Sequence, residues 1–333
     1  MKTMKTIIFK DEISDIEKAG QIIKNGGLVA FPTETVYGLG ADGLNPDAVK
    51  KVYKAKGRPS DNPMILHISE IDQVYGIAKT VTDEHLNLME AFWPGPMTVV
   101  MECKNIVPKE TTGGLSTVGI RLPKTASARQ LITAAATPIA APSANLSGKP
   151  SPTKASHVLD DLDGRIDAII QGGDCQVGIE STVLTIKDGK IIILRPGVIT
   201  PEAIRKVSDL PVEFDPALTK GVGEDFKPMA PGMKYKHYAP NGQMIIYAGA
   251  EENIKTEIAK KKAQLETEGK KVGVIFFGNN DVDQAAHDLF DKLRQMDKEN
   301  IEYILAGAVE ANGLGFSVMN RMLKSAGYNV VNV

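Results

Sequence analysis

The sequence predicts an α/β protein with two domains, and three observations support this class. Short apolar segments mix with segments of helical period along most of the chain. Its 333 residues are enough for two domains, at roughly 150 residues each. Residues 211–243 are rich in proline and glycine and follow neither a helical nor a strand period. We therefore expect domains at residues 1–210 and 244–333, joined by a linker at 211–243.

The N-terminal part is expected to form a mixed sheet, because its strands and helices do not alternate strictly. Asn45 and Pro46 are typical of a helix start, and Gly57 followed by Pro59 ends that helix. Strands are predicted at residues 28–31, 64–68, 97–101, 117–122, 138–141, 182–186 and 191–194.

The C-terminal part alternates regularly, which predicts a small Rossmann-like parallel sheet with helices on its faces. Strands are expected at residues 244–247, 271–277, 302–305 and 328–333, and helices at 251–268, 283–296 and 314–325.

Composition and charge exclude several classes of protein. The net charge of -2 excludes a surface coated in positive charge, but it permits a local basic cavity. No apolar run approaches the roughly 20 residues that span a bilayer, and the basic N-terminus lacks a long apolar segment. We therefore expect a cytoplasmic protein. Its distant cysteines, Cys103 and Cys175, are expected to be free thiols, and its five scattered histidines do not suggest a zinc site.

Residues 38–43 match the G-x-G-x-x-G pattern, but their position argues against a dinucleotide site. In that fold the glycines form the turn directly between a strand and a helix. Here six residues separate them from the strand that ends at Phe31. We expect these glycines to serve tight turns.

A group of cations lies on the first predicted helix and at its exit: Lys50, Lys51, Lys54, Lys56 and Arg58. For Lys50, Lys51 and Lys54, a solvated helix face and a bound ligand are equally good explanations of the positive charge. Lys56 and Arg58 differ because Gly57 and Pro59 turn the chain there. Arg58 then lies on a loop, and a guanidinium suits phosphate oxygens.

Two further arginines lie on or beside strands. Arg121 lies on the face of its strand opposite Val118 and Ile120, together with Thr117. Such an arginine needs an anionic partner, which is either a structural carboxylate or a ligand. Arg195 ends an apolar run before Pro196, a position common for both plain strand ends and ligand sites.

Residues 32–38 and 142–153 are loops with many hydroxyl groups, and the second also has an amide and a lysine. His67, by contrast, suits a buried core position. No Ser-His-Asp or Cys-His set is evident. This profile favours chemistry performed by positioning and by charge neutralisation at phosphates.

These segments together resemble the YrdC-like domain of threonylcarbamoyl-AMP synthases. The resemblance rests on eight segments in order: PTETVYGLGAD, KGRP, NPMILHI, WPGPMTVV, TVGIRLP, PIAAPSANLSGKPSPT, STVL and LRPG. The linker and the second α/β part resemble the two-domain form of the family. The family fold implies a twisted mixed sheet with helices around a positive cavity.

The resemblance also implies roles for particular residues. Lys56 and Arg58, with Ser143 and Asn145, match a K-x-R and S-x-N signature, and the first two are expected to be catalytic by neutralising phosphate charge. The implied ATP-binding residues are Arg58, Asn62, Thr117, Ser143, Asn145, Ser151, Arg195 and Tyr235. The implied threonine-binding residues are Thr35, His67, Arg121, Ala141 and Ser181. Residues 231–238 are implied to form a lid, with Lys234, Tyr235 and His237.

The implied activity is nucleotidyl transfer, in which L-threonine, bicarbonate and ATP give threonylcarbamoyl-adenylate and pyrophosphate. A separate transferase complex then modifies an adenosine beside the anticodon of tRNA, and direct tRNA binding is a further possibility. Mg²⁺ is expected with ATP, held chiefly by phosphates, with no protein ligand assigned beyond an open question over Glu34 and Glu180. Two alternatives remain: an RNA-binding module without catalysis, and a carbamoyl transferase that uses carbamoyl phosphate.

Overall fold

The computed structural model describes residues 5–218, 237–278 and 281–333. The chain divides into two compact units. The first contains a large mixed sheet. The second contains a small sheet, together with the short segments Gly148–Ser151 and Val177–Ile179.

The first unit has eleven strands among the described residues. They are β1 (Ile7–Lys10), β2 (Val29–Phe31), β3 (Gly38–Asp42), β4 (Ile65–His67), β5 (Met97–Glu102), β6 (Thr117–Arg121), β7 (Ile139–Ala140), β8 (Ala168–Gln171), β9 (Thr182–Lys187), β10 (Lys190–Arg195) and β11 (Val212–Phe214). Its helices are α1 (Ile13–Lys24), α2 (Pro46–Lys56), α3 (Val74–Ile77), α4 (Asp83–Phe92), α5 (Lys109–Thr112), α6 (Ala126–Ala135), α7 (Ala155–Leu162) and α8 (Pro201–Ile204).

The large sheet has the strand order β1-β8-β2-β3-β7-β4-β6-β5-β9-β10-β11. Parallel and antiparallel pairs alternate irregularly, so the predicted mixed sheet is confirmed. All seven predicted strands are present, with ends that shift by at most one residue. The strands β1, β3, β8 and β11 were not predicted, and α2 is the one described helix of this unit that was.

Helix α2 begins and ends as the sequence predicts. The Asn45 side chain accepts hydrogen bonds from the backbone N–H groups of Asp47 and Ala48, which caps the helix. Gly57 adopts the left-handed conformation, with φ of +62°, at its C-terminus. The helix therefore ends and the chain turns at Gly57, as expected.

The prediction that the glycines of residues 38–43 serve tight turns is wrong for Gly38 and Gly40. Both lie in strand β3, which pairs with β2 and β7. A Cβ atom on Gly40 would lie 2.8 Å from Ile139 Cγ2 and 2.9 Å from Phe31 Cε1. These glycines therefore allow close packing of strands and side chains, which the linear pattern does not reveal.

The second unit has the strands β12 (Gln243–Ala248), β13 (Val272–Ile275), β14 (Tyr303–Gly307) and β15 (Val330–Asn332). Its helices are α9 (Glu251–Thr267), α10 (Val282–Lys298) and α11 (Gly313–Ser325). The strand order is β13-β14-β12-β15, and every pair is parallel. The predicted small parallel α/β sheet is confirmed.

Part of the region predicted as a linker is regular structure. Strand β11 pairs in parallel with β10, and a 3-10 helix follows at Pro216–Leu218. The segment has too few residues for a period to be visible, so pairing with β10 decides its conformation. None of the described helices is long and apolar enough to cross a membrane.

Candidate active site

The loop between β2 and β3 is shaped by the hydroxyl group of Thr33. This hydroxyl donates to the carbonyl oxygen of Val36 at 2.6 Å, and it lies 2.9 Å from the hydroxyl of Thr35. Because the proton of Thr33 is directed at Val36, the hydroxyl of Thr35 is the donor in the second contact. Thr35 therefore presents a lone pair, and no proton, to its other neighbours.

Arg121 lies at the end of β6 and is only 4% exposed. Its Nη1 donates to Thr35 Oγ1 at 3.0 Å, its Nη2 donates to Glu34 Oε1 at 2.6 Å, and its Nε donates to the carbonyl oxygen of Gly95 at 3.3 Å. The structural salt bridge considered from the sequence is therefore present. A guanidinium has five N–H groups, so two remain for another acceptor.

His67 lies beside Arg121, because β4 and β6 are parallel and these two residues are paired. Burial, and then the positive charge of Arg121, lower the pKa of His67 to about 3. Its Nδ1 has no hydrogen-bond partner in the described part of the chain. His67 is therefore buried and neutral at neutral pH, as expected of a core histidine, and its Nδ1 stays available to a further hydrogen-bonding group.

The low pKa of His67 predicts a stability that depends on pH. In the unfolded chain His67 becomes protonated below its ordinary pKa of 6.5. In the folded chain it stays neutral down to about pH 3. Wild type should therefore lose about 2 kcal/mol of unfolding free energy between pH 7 and pH 5 through this residue. Urea unfolding of wild type and His67→Gln at both pH values checks this, since the variant lacks the contribution. Equal losses in the two proteins would contradict the assignment.

A second polar cluster joins Ser181, Arg195 and Thr98. Arg195 donates through Nε to the carbonyl oxygen of Ser181 at 3.1 Å and through Nη2 to its hydroxyl at 3.0 Å. The Ser181 hydroxyl also lies 2.9 Å from that of Thr98. Strands β4, β6, β5 and β9 are consecutive in the sheet, so this cluster and the pair of His67 and Arg121 share one region. Arg195, a predicted ATP-binding residue, is therefore hydrogen-bonded to Ser181, a predicted threonine-binding residue.

Lys56 is 2% exposed and its ammonium group faces the loop after β7. Nζ donates to the carbonyl oxygens of Ser143 and Asn145, both at 2.5 Å, and lies 3.4 Å from Asn145 Oδ1. The Ser143 hydroxyl donates to the same Oδ1 at 2.5 Å. A lysine ammonium has three N–H donors. Through them Lys56 joins the K-x-R motif to the S-x-N motif and holds the loop after β7 in place.

Arg58 is half-buried at the exit of α2. Its Nη2 donates to the carbonyl oxygens of Asn62 at 3.3 Å and Pro63 at 3.0 Å. Asn62 is buried, and its Oδ1 has no hydrogen-bond partner within the described ranges. An orphaned buried acceptor of this kind suits a donor from a ligand.

The remaining predicted residues lie in several places. Thr117 is half-buried at the start of β6, on the same face as Arg121 but four residues away. Ala141 is buried next to β4, where its backbone N–H donates to Ile65. Ser151 belongs to Gly148–Ser151, which groups with the second unit. Lys234 and Tyr235 lie outside the described residues, and the ring of His237 is 5.5 Å from that of Tyr238.

Sequence reasoning gave no definite role to Glu34 or Thr98. Both are buried and each contacts a predicted site residue. The carboxylate in the segment PTETVYG was a visible signal for Glu34. Thr98 lies in an apolar strand and carried no comparable signal.

Known proteins resemble this chain over nearly its whole length. Residues 21–197 match the Sua5, YciO and YrdC family model, described as telomere recombination. Residues 199–327 match the model described as threonylcarbamoyl-AMP synthase, C-terminal domain. The threonylcarbamoyl-AMP synthase of Pyrococcus abyssi is 45% identical over 96% of both chains. That of Bacillus subtilis is 42% identical over 99% of this chain and 100% of its own.

A solved structure of P. abyssi Sua5 with L-threonine superposes with a TM-score of 0.93, at 44% identity, covering 98% of this chain and 99% of that one. The large mixed sheet and its polar site define an α/β protein of the YrdC-like class. With its second unit, the chain belongs to the family of two-domain threonylcarbamoyl-AMP synthases. The resemblance stated from the eight sequence segments is confirmed.

Proposed function

We propose that this chain condenses L-threonine, bicarbonate and ATP into threonylcarbamoyl-AMP and pyrophosphate. The observation that carries the proposal is the state of Arg121. Its buried guanidinium is held by three protein acceptors, and two N–H groups remain for a bidentate contact with a carboxylate. The relative solved with L-threonine supports threonine as the source of that carboxylate.

The groups around Arg121 suit an amino-acid substrate. Thr35 offers a lone pair, so it accepts from the amine or the hydroxyl of threonine. Neutral His67 and the hydroxyl of Ser181 complete a pocket that binds polar groups without carrying a second positive charge at neutral pH. Ala141 would bound the same pocket with an apolar surface.

The reaction has two bond-forming steps. The threonine amine attacks the carbon of bicarbonate, and loss of water gives a carbamate. A carbamate oxygen then attacks the α-phosphorus of ATP, and the bond to the β-phosphate breaks to release pyrophosphate. The protein needs no nucleophile of its own, so its contribution is positioning and charge neutralisation.

We assign the phosphate-binding role to the region of Arg58, Asn62, Ser143 and Asn145. Arg58 supplies positive charge directly, whereas Lys56 acts through the loop whose carbonyl groups it holds. Arg195 would join the two substrates, because it contacts Ser181 and is assigned to ATP. Thr117, Ser151 and Tyr235 remain proposed ATP contacts.

Magnesium is proposed to enter with ATP. The described residues contain no group of three His, Cys, Asp or Glu side chains suited to a metal ion. Both oxygens of Glu34 already accept hydrogen bonds, from Arg121 and from the backbone of Lys124. These residues fit an Mg²⁺ ion that is held by water molecules and by the phosphates of ATP. The ion would neutralise charge on those phosphates.

Outside the site, we propose a cytoplasmic location and a downstream complex that transfers the threonylcarbamoyl group to tRNA. We also propose that residues 231–238 cover the site as a lid that shields the labile product from water. The domain limits at 210 and 244 remain part of the same proposal.

Pyrophosphate release by the purified chain tests the activity. With ATP, Mg²⁺ and bicarbonate, we expect release that requires L-threonine, and slower release with L-serine. One methyl group in a pocket is worth about 1–3 kcal/mol, so serine should be used roughly 10–200-fold less efficiently. Release independent of the amino acid would refute the proposal. RNA binding without release would favour an RNA-binding module, and turnover of carbamoyl phosphate would favour a carbamoyl transferase.

A further inference from the structure

Glu34 is a buried carboxylate whose two oxygens are both engaged. It is 5% exposed. Its Oε1 accepts from Arg121 Nη2 at 2.6 Å, and its Oε2 accepts from the backbone N–H of Lys124 at 3.0 Å. The carboxylate is therefore held both by Arg121 at the end of β6 and by the backbone of the loop that follows β6. The second contact gives Arg121 an acceptor of fixed position.

Three acceptors together determine the orientation of Arg121. The carbonyl oxygen of Gly95 accepts from Nε, the hydroxyl of Thr35 accepts from Nη1, and Oε1 of Glu34 accepts from Nη2. Glu34 and Thr35 are consecutive, and Thr33 holds the shape of their loop through Val36. One short loop therefore supplies an acceptor to each terminal nitrogen of the guanidinium.

We propose that Glu34 is a positioning residue, which holds Arg121 so that its two remaining N–H groups point at the substrate carboxylate. This inference rests on the proposed function. Stability alone does not account for the pair, because apolar replacements of buried ion pairs are often as stable. Glu34 offsets the positive charge of Arg121. Recognition of the substrate carboxylate therefore depends more on the fixed N–H donors of Arg121 than on net charge at the site.

A cavity makes a direct test possible. Glu34 borders an open space of about 410 Å³, which Asp11 and Ser127 also line. In Glu34→Ala a small carboxylate can therefore diffuse to the vacated position beside Arg121. We expect Glu34→Ala to raise KM for threonine about tenfold or more while KM for ATP changes little. Added acetate should lower KM for threonine again, and neutral acetamide should not.

Two further variants keep the inference falsifiable. Glu34→Gln preserves volume and one acceptor, so it serves where Glu34→Ala folds poorly, and it should also raise KM for threonine. In an Arg121→Lys background, Glu34→Gln should add little, because the two residues act through one contact. Asp11→Ala is the matched control: it removes a carboxylate from the same cavity, and its kinetics should equal those of wild type.

The outcomes separate this inference from the proposed function. Wild type that releases pyrophosphate only with threonine supports the function. Given that activity, an unchanged KM for threonine in Glu34→Gln overturns the positioning role. So does an equal rise in both KM values, or acetamide acting as well as acetate. Wild type without threonine-dependent release refutes the function itself, whatever Glu34 does.

Discussion

Replacing Arg121 with lysine is expected to lower kcat/KM for threonine about a hundredfold or more, with little change in KM for ATP. Lysine keeps the charge, but it lacks the planar fork that offers paired donors to a carboxylate. Each hydrogen bond to a charged group is worth about 1.5–3 kcal/mol, and the variant loses two in the proposed complex. Initial rates of pyrophosphate release over a range of threonine concentrations measure the effect.

Arg129→Lys is the matched control for this experiment. Arg129 is half-buried on α6 in the same unit, and no side chain in the described ranges pairs with its guanidinium. It therefore reports the general cost of an arginine-to-lysine change in this unit. If both variants lost activity equally, the special role of Arg121 would be refuted.

Replacing Lys56 with methionine is expected to destabilise the protein by about 3 kcal/mol and to abolish ATP-dependent turnover. Methionine nearly fills the same volume, but it removes the Lys56 donor from the buried carbonyl oxygen of Asn145 and from the part-buried one of Ser143. The loop then loses the side-chain contacts that join it to α2, although the Ser147 N–H still donates to the Lys56 carbonyl oxygen. Urea unfolding measures the first effect, and the rate of pyrophosphate release at high ATP concentration measures the second.

A contrast with two other residues tests the explanation. Lys54→Met changes an exposed lysine of the same helix and should leave both quantities unchanged. Arg58→Gln should lower the rate with a smaller loss of stability, because Arg58 is half-buried and is assigned to the phosphates directly. A stable Lys56→Met protein with slow turnover would instead show that Lys56 acts on the phosphates themselves.

The accuracy of the sequence predictions follows the range of the interactions involved. Helix α2 was located correctly because Asn45, Pro46 and Gly57 act on their immediate neighbours. The alternating C-terminal unit was also predicted correctly, because its helices α9, α10 and α11 are long enough to show a period. Strand β11 is only three residues long and was missed, because it exists through its pairing with β10.

The candidate site shows the same division. The arginine on a strand face required an anion, and the sequence left a carboxylate or a ligand as alternatives. Only the fold brings Glu34 to Arg121 across 87 positions of sequence. The sequence placed Lys56 at the exit of a helix, but only the fold shows that it is buried against Ser143 and Asn145, which lie 87 and 89 positions away.

By itself, the sequence determined the α/β class, the two-part organisation, the family and the set of residue types at the site. These follow from local propensity, from hydrophobic period and from motifs that can be recognised in order. The tertiary structure decided which polar groups pair, which donors remain available and why Gly40 must lack a side chain. Those facts depend on contacts between residues distant in sequence, and the hydrogen-bond partner of a buried group is known only once the chain has folded.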